Sequence, residues 1–274
     1  MTPTQSQIMA RLMSSPQYLS PLHATALLLD SPCETRADVV EPRSAIREHC
    51  VGGEWQPYET WRGIAVVTGS GTLQKRCGWW GLDYDAVTSA VHQAVEDPGV
   101  QTVVLNLASP GGSVVGCAET ANRLAALAQR KPIVGFVDTM ACSAMYWNLC
   151  ALPIVATPSA QVGSIGVILV LETFEAMLEA MGIKTHVYKS GALKDMGAPW
   201  REPTEQEAAA FQADVDTLGD AFRSYVTTHR PTVQHADMQG QAFAAADALH
   251  KGLVDGLVND LSDLLANLAG AAAH

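Results

Sequence analysis

Four short segments of this 274-residue chain carry residue types that could do acyl-transfer chemistry. The first, Ser109-Pro110-Gly111-Gly112-Ser113, follows an apolar run and opens a helical pattern. Adjacent glycines let the backbone turn sharply and expose N–H groups, and a helix N-terminus adds positive potential. Such a segment could hold an oxyanion. It could equally be an ordinary strand–helix turn. In the second, MACSAMY at 140–146, small residues flank Ser143 at the start of a helix. A substrate carbonyl could approach that hydroxyl, or the serine could simply cap the helix. In the third, VGSIG at 162–166, glycines bracket Ser164 within an apolar strand pattern, where a bulge or tight turn is the plain alternative. The fourth, KSGALKD at 189–195, places Lys194 in a loop after a strand. A lone surface lysine is the usual meaning of such a loop, yet serine–lysine pairs do replace Ser–His–Asp. That chemistry needs a lysine neutral near pH 7. Moving a lysine from ~10.4 to about 7 costs roughly 4–5 kcal/mol of differential solvation. Leu193 and nearby apolar strand ends are expected to supply it.

Competing chemistries find less support. No histidine follows Ser143 within about 30 residues, and His186 falls in an expected strand, where packing is its simplest role. Gly69-Ser70-Gly71 opens like a dinucleotide fingerprint but has Gln74 at the third glycine position. No phosphate-binding G-x-x-x-x-G-K-[ST] occurs, and G-x-S-x-G fails at Ser113 because Val115 stands two residues on. Cysteines 33, 50, 77, 117, 142 and 150 form no C-x-x-C pair and no zinc spacing, so reduced thiols are expected. No metal, nucleotide or other cofactor is called for.

The elements that must position these residues follow from periodicity. Strands are expected at 64–68, 101–107, 132–137, 154–156, 164–170, 184–189 and 253–258. Helices are expected after Asp83 to about residue 96, at 114–129, briefly after Ser143, and at 172–180, 204–229, 244–250 and on to 268. Thr204 and Glu207 form a capping box. Phe211, Val215, Leu218, Phe222 and Val226 then make one apolar stripe, which reads as core or interface. Strands alternating with helices at this spacing mean an α/β fold. Residues 1–60 carry Pro3, Pro16, Pro21, Pro32, Pro42 and Pro57 and read as an irregular extension with one helix at 7–13. Residues 61–270 read as the core domain.

Composition sets outer bounds. Hydrophobic residues at 48% and charged residues at 16% suffice for a sizeable core. A formal charge of −11 lacks the basic footprint of a nucleic-acid binder and disfavours anionic lipid. No apolar run approaches a membrane span. The best N-terminal run, 24–29, is short and has no basic region before it. A soluble, cytoplasmic protein is expected.

At the four segments the chain resembles the signal peptide peptidase A (protease IV) family, and within it the tailed-phage capsid proteases of the lambda protease C type. The matching stretches are SPGGSVVG (109–116), KPIVGFVDTMACSAMYW (131–147), VGSIGVI (162–168), SGALKD with a following proline (190–199), and HKGLVDGLV (250–258). Ser143 to Ser164 is 21 residues and Ser143 to Lys194 is 51, as in that family. The resemblance covers roughly residues 61–260. It implies a Clp protease/crotonase-like spiral of β-β-α units with a long C-terminal helix. It also implies a serine peptidase that self-assembles into homo-oligomeric rings. Carried over residue by residue, Ser143 is the nucleophile, Lys194 the general base and Ser164 the residue that holds the lysine. Gly111 and Ala144 supply oxyanion N–H groups, with Gly112 as a substitute. Ala144-Met145 stand where many relatives have paired glycines, which bears on access to the pocket beside the nucleophile.

A single peptidase core, no membrane span and a Pro-rich leader point toward phage or prophage capsid maturation, with scaffold or portal-type proteins as substrates. The alternatives are a soluble peptidase clearing membrane-derived peptides and a non-catalytic capsid-assembly module.

Overall fold

The computed structural model describes residues 46–51, 54–76 and 81–271. The expected helix at 7–13 and most of the Pro-rich extension lie outside them. The chain divides into a larger unit, 38–167 with 216–274, and a smaller one whose described part is 168–215.

In the larger unit, β1 (His49–Val51) and β2 (Glu54–Gln56) pair as an antiparallel hairpin. β3 (Glu59–Trp61) then pairs antiparallel with β4 (Ile64–Ser70). From β4 onward the chain repeats one path: a strand in a large sheet, a short strand or bridge in smaller sheets, then a helix. The first turn is β4, β5 (Thr72–Gln74), β6 (Gly81–Asp83) and α1 (Tyr84–Glu96). The second is β7 (Thr102–Ala108), the segment 109–112 and α2 (Cys117–Ala128). The third is β8 (Ile133–Val137), β9 (Met140–Cys142) and α3 (Ala144–Leu149). The fourth begins with β10 (Ile154–Ala156) and β11 (Gln161–Gly163). The chain then passes through α4 (Glu175–Ala180) and into α5 (Glu205–His229), inside which the unit boundary falls. It closes with β12 (Ala242–Ala244), α6 (Ala245–His250), β13 (Gly256–Leu257) and α7 (Leu261–Ala271). This is the expected α/β spiral of β-β-α units.

The large sheet has the order β13-β10-β8-β7-β4-β3, parallel except at β3. Both of its faces are covered, which is why its strands read as unbroken aliphatic runs. Ile64, Val66, Val104, Val134 and Phe136 pack with Leu264 of α7. Ala65, Val67, Val103, Leu105 and Leu107 join the main core beneath α1, α2 and α3. The smaller layer runs β12-β11-β9, and isolated parallel bridges join Ser109 to Ala141 and Gly112 to Leu73. The segment 109–112 therefore lies between β9 and β5.

Local signals explain the ends that sequence placed well. Asp83 accepts the N–H groups of Asp85 and Ala86 at 2.8 and 3.1 Å, capping α1. The capping box forms: Glu207 N–H donates to Thr204 Oγ1 at 3.3 Å and Thr204 N–H to Glu207 Oε2 at 2.8 Å. Of the apolar stripe on α5, Phe211, Phe222 and Val226 are buried and Val215 and Leu218 half-buried. Phe222 stacks on Trp147 of α3 with ring centroids 4.5 Å apart, a contact worth about 0.5–1.5 kcal/mol beyond its buried area.

Other expectations need correction. The segment 164–170 is not a strand, because Gly163 (φ +116°) and Ser164 (φ +52°) turn the backbone out of the extended region. Nor is 184–189: Tyr188 is 95% exposed, and no neighbouring strand pairs with it among the described residues. The helix expected from 114 starts at Cys117, after Gly116 at φ +91°. The one expected from 172 starts at Glu175. The strand at 253–258 shrinks to two residues. Residues 46–51 and 54–60 are not irregular: they hold β1, β2 and the start of β3, and Tyr58 is buried with its hydroxyl donating to Asp97 at 3.0 Å. Strands of three residues are too short to leave a readable period.

Candidate active site

Two glycines shape the loop after β7, and neither tolerates a side chain. Gly111 has φ +117°, and a Cβ there would lie 2.6 Å from Ser143 Cβ and 3.0 Å from Ser143 Oγ. At Gly112 a Cβ would fall 1.9 Å from the Leu73 carbonyl oxygen. Leu73 N–H donates to the Gly111 carbonyl and Ser113 N–H to the Leu73 carbonyl, both at 2.8 Å. In that parallel bridge Gly112's own N–H points away from Leu73, toward the side where β9 and Ser143 lie. Among the described residues it meets no backbone acceptor. The Gly111 N–H, by contrast, donates to Ser109 Oγ at 3.1 Å. Sequence reasoning ranked Gly111 first as an oxyanion donor and Gly112 second. In the structure the Gly111 N–H is already bonded within the loop.

Ser143 ends β9 with φ +52° and ψ −123°, a conformation that an L-residue rarely holds. Its side chain makes no capping hydrogen bond to α3, so the plain explanation of a serine at a helix start fails here. The hydroxyl is half-buried beside Gly111. Ala144 is the first residue of α3, and its N–H has no intrahelical acceptor. Adjacent Cys142 is buried, and burial pushes its thiol above the ordinary value, which disfavours thiolate chemistry at that neighbour.

Ser164 stands across from Ser143. β9 and β11 run parallel with Cys142 opposite Gly163, and Ser143 N–H donates to the Gly163 carbonyl at 2.8 Å. Ser164 also sits at φ +52°, and its N–H donates to the Gln241 carbonyl at 2.7 Å. A Cβ on Gly163 would come within 2.9 Å of that same carbonyl, so only glycine fits before the serine. The larger unit thus brings together Ser143, Ser164, Gly111, Gly112 and Ala144.

Lys194 belongs to the smaller unit. It lies in successive turns closed by Lys194 N–H to Gly191 C=O at 3.2 Å and Met196 N–H to Leu193 C=O at 3.1 Å. The desolvation expected from Leu193 is not supplied, because Leu193 is 46% exposed and Lys194 is exposed as well. What the sequence did not reveal is the anchor beside it. Arg201 donates to both Glu207 carboxylate oxygens, at 2.6 and 2.8 Å, and to Asp195 Oδ2 at 3.3 Å. Lys189 Nζ meets Asp195 Oδ1 at 2.6 Å. Arg201, joined by Lys189 at Asp195 and by the Thr204 hydrogen bonds at Glu207, holds both carboxyls well below their usual range, at about 2. The turn carrying Lys194 is thereby tied to the first turn of α5. Among the described residues no three His, Cys, Asp or Glu side chains gather as a metal site would require, and no helix is long and apolar enough to cross a membrane.

The family profile described as Peptidase family S49 matches residues 125–272, more than half of the chain and inclusive of Ser143, Ser164 and Lys194. The chain belongs to peptidase family S49. Its S49 relatives include capsid assembly protease C of Escherichia phage lambda, 30% identical over 212 residues, which is 74% of this chain and 48% of the phage protein. A putative signal peptide peptidase SppA of Enterococcus faecium is 31% identical over 198 residues, 70% of this chain and 57% of that protein. The chain spans about half the length of the curated relatives it matches. Among solved structures, an enoyl-CoA hydratase/isomerase family protein from Silicibacter pomeroyi aligns with TM-score 0.46 and 16% identity, covering 79% of this chain and 82% of that one.

Proposed function

We propose that this S49 chain is a serine endopeptidase in which Ser143 attacks the peptide carbonyl and Lys194 takes its proton. The observation that carries the reading is Ser143 itself: a strained serine, not spent as a cap, packed against Gly111 and in register with Ser164. The Ser164 hydroxyl orients the lysine amine. The N–H groups of Gly112 and Ala144 hold the oxyanion as the tetrahedral intermediate forms. Lys194 returns the proton to the leaving amine, and water then repeats the sequence on the acyl-enzyme. The test is covalent labelling by a fluorophosphonate. Label should fall on Ser143, vanish in Ser143→Ala and be lost equally in Lys194→Arg and Lys194→Ala, since arginine keeps charge but cannot deprotonate. An unlabelled Ser143 in folded protein would favour a non-catalytic assembly module.

For the biological setting we propose capsid maturation in a phage or prophage, with scaffold or portal-type proteins cleaved by a self-associated form of the chain. The similarity to the lambda capsid assembly protease and to the head-tail preconnector protein of phage P21 supports it. The comparable similarity to the Enterococcus protein favours a second reading, a peptidase of membrane-derived peptides. Cleavage of scaffold protein in an assembling prohead supports the first. Efficient destruction of signal peptides with capsid proteins left whole supports the second. Light scattering at micromolar concentration tests the self-association.

A further inference from the structure

Ser109 takes no part in the reaction just described, yet its side chain is fully buried and fully engaged. Its Oγ accepts the Gly111 N–H at 3.1 Å and donates to the Gly111 carbonyl at 3.1 Å. Its main chain is bonded on both sides to β9: Ser109 N–H to Met140 C=O at 3.0 Å, and Cys142 N–H to Ser109 C=O at 3.1 Å. The hydroxyl is therefore mounted on the same strand that ends in Ser143. We propose that Ser109 is a positioning residue whose hydroxyl fixes the Gly111 peptide, so that Gly112 and not Gly111 presents its N–H to the oxyanion.

The reasoning is physical. Two glycines in succession leave the loop with more accessible backbone conformations than any other pair, and a flipped peptide would offer the wrong N–H. Pro110, between Ser109 and Gly111, has no N–H to compete for the hydroxyl, but its ring fixes only φ and leaves the peptide that carries the Gly111 N–H free to turn. The Leu73 N–H holds the Gly111 carbonyl from one side, and among the described residues the Gly111 N–H has only Ser109 Oγ. A hydroxyl is both donor and acceptor and can satisfy the two Gly111 groups at once. Alanine would fit the space and orphan a buried N–H.

The inference rests on Ser143 as nucleophile, and the experiment separates the two. In Ser109→Ala, kcat should fall about 10²-fold, as a misplaced oxyanion donor requires, with KM changed less than about twofold. The rate of phosphonylation of Ser143 should fall in parallel. Unchanged kcat in folded Ser109→Ala overturns the proposal, as does a loss expressed in KM alone. Amide exchange of the unmutated protein, read by NMR, decides the matter even if the variant does not fold. The Gly111 amide should exchange slowly before and after phosphonylation, whereas the Gly112 amide should exchange fast and become protected by the phosphonyl oxygen. Protection gained at Gly111 in place of Gly112 overturns the proposal. Failure of the phosphonate to attach to Ser143 would refute the nucleophile assignment instead, and slow exchange at Gly111 would still report the Ser109 bond.

Discussion

On the proposed mechanism, replacing Gly112 with alanine should abolish peptidase activity. A Cβ at that position would lie 1.9 Å from the Leu73 carbonyl oxygen and 2.6 Å from the Leu73 carbonyl carbon and nitrogen. Ordinary contact begins near 3.4 Å, so something must move by about 1.5 Å. Leu73 cannot retreat, since its side chain is 1% exposed and both its main-chain groups are bonded into the same bridge. The loop itself must shift, carrying the Gly112 N–H with it. Misplacement by about 1 Å can cost 10²-fold, and losing one oxyanion donor costs about 10²–10³-fold. A fall in kcat/KM of about 10²–10³ is therefore expected, equivalent to about 3–4 kcal/mol of transition-state stabilisation. The assay is hydrolysis of a chromogenic ester with active sites titrated by fluorophosphonate, alongside circular dichroism and a melting curve. Gly270→Ala in α7 is the control: its Cβ would meet nothing within 4 Å, and activity should stay within about twofold of native. A folded Gly112→Ala enzyme retaining a third or more of native activity, roughly 0.6 kcal/mol or less, would refute the reasoning.

On the proposed mechanism, in which its hydroxyl only orients the base, Ser164→Ala should lower kcat about 10²-fold without raising KM; kinetics on the folded variant check it. Arg201→Leu should strip Asp195 and Glu207 of their shared cation, and amide exchange across 190–198 should speed up roughly tenfold while the melting point of the larger unit barely moves. Both carboxyls are held at about 2 against ordinary values of 3.8 and 4.5, so their contribution is complete above pH 5 and is lost as pH falls toward 2. Exchange in this turn should accordingly be flat from pH 7 to about 5 after correction for intrinsic rates, then accelerate in acid. Asp255→Asn should leave the buried Arg230 guanidinium without the carboxylate that it grips at 2.6 and 2.8 Å. Because Asp255 is half exposed the cost is about 2 kcal/mol, a melting-point drop of about 4–8 °C.

Residue order shows where the candidate site's segments lie, and the reasons differ by segment. Gly111, Gly112, Ser143 and Ser164 drew attention as small residues at strand ends, each with a plain structural alternative, and their proposed roles came from the family resemblance. The bond that takes up the Gly111 N–H was not legible, because Ser109 looks like any turn serine. The aliphatic runs of β4, β7 and β8 were plain, since a sheet buried on both faces needs uninterrupted hydrophobic strands. The run after Ser164 carries the same composition and is not a strand, because two successive positive φ values redirect it. Side-chain type does not encode that. Arg201 was invisible because its partners, six residues away on either side, are united by a turn that no periodicity announces.

The pairing of Cys142 with Gly163 turns the stretch between the two serines into a ruler. Side chains alternate across a strand with a period of two, so a one-residue change before β11 would swing Ser164 to the opposite face while leaving Ser143 where it is. The turn at 157–160, closed by Thr157 N–H to Val137 C=O and Ala160 N–H to Thr157 C=O, offers no slack to absorb it. Gly182, exposed and with open space around it, lies outside that interval. A tag, a tether or a longer recognition loop grafted onto this chain therefore belongs at Gly182, and homologous enzymes that differ in length should be aligned with the interval between the serines held rigid.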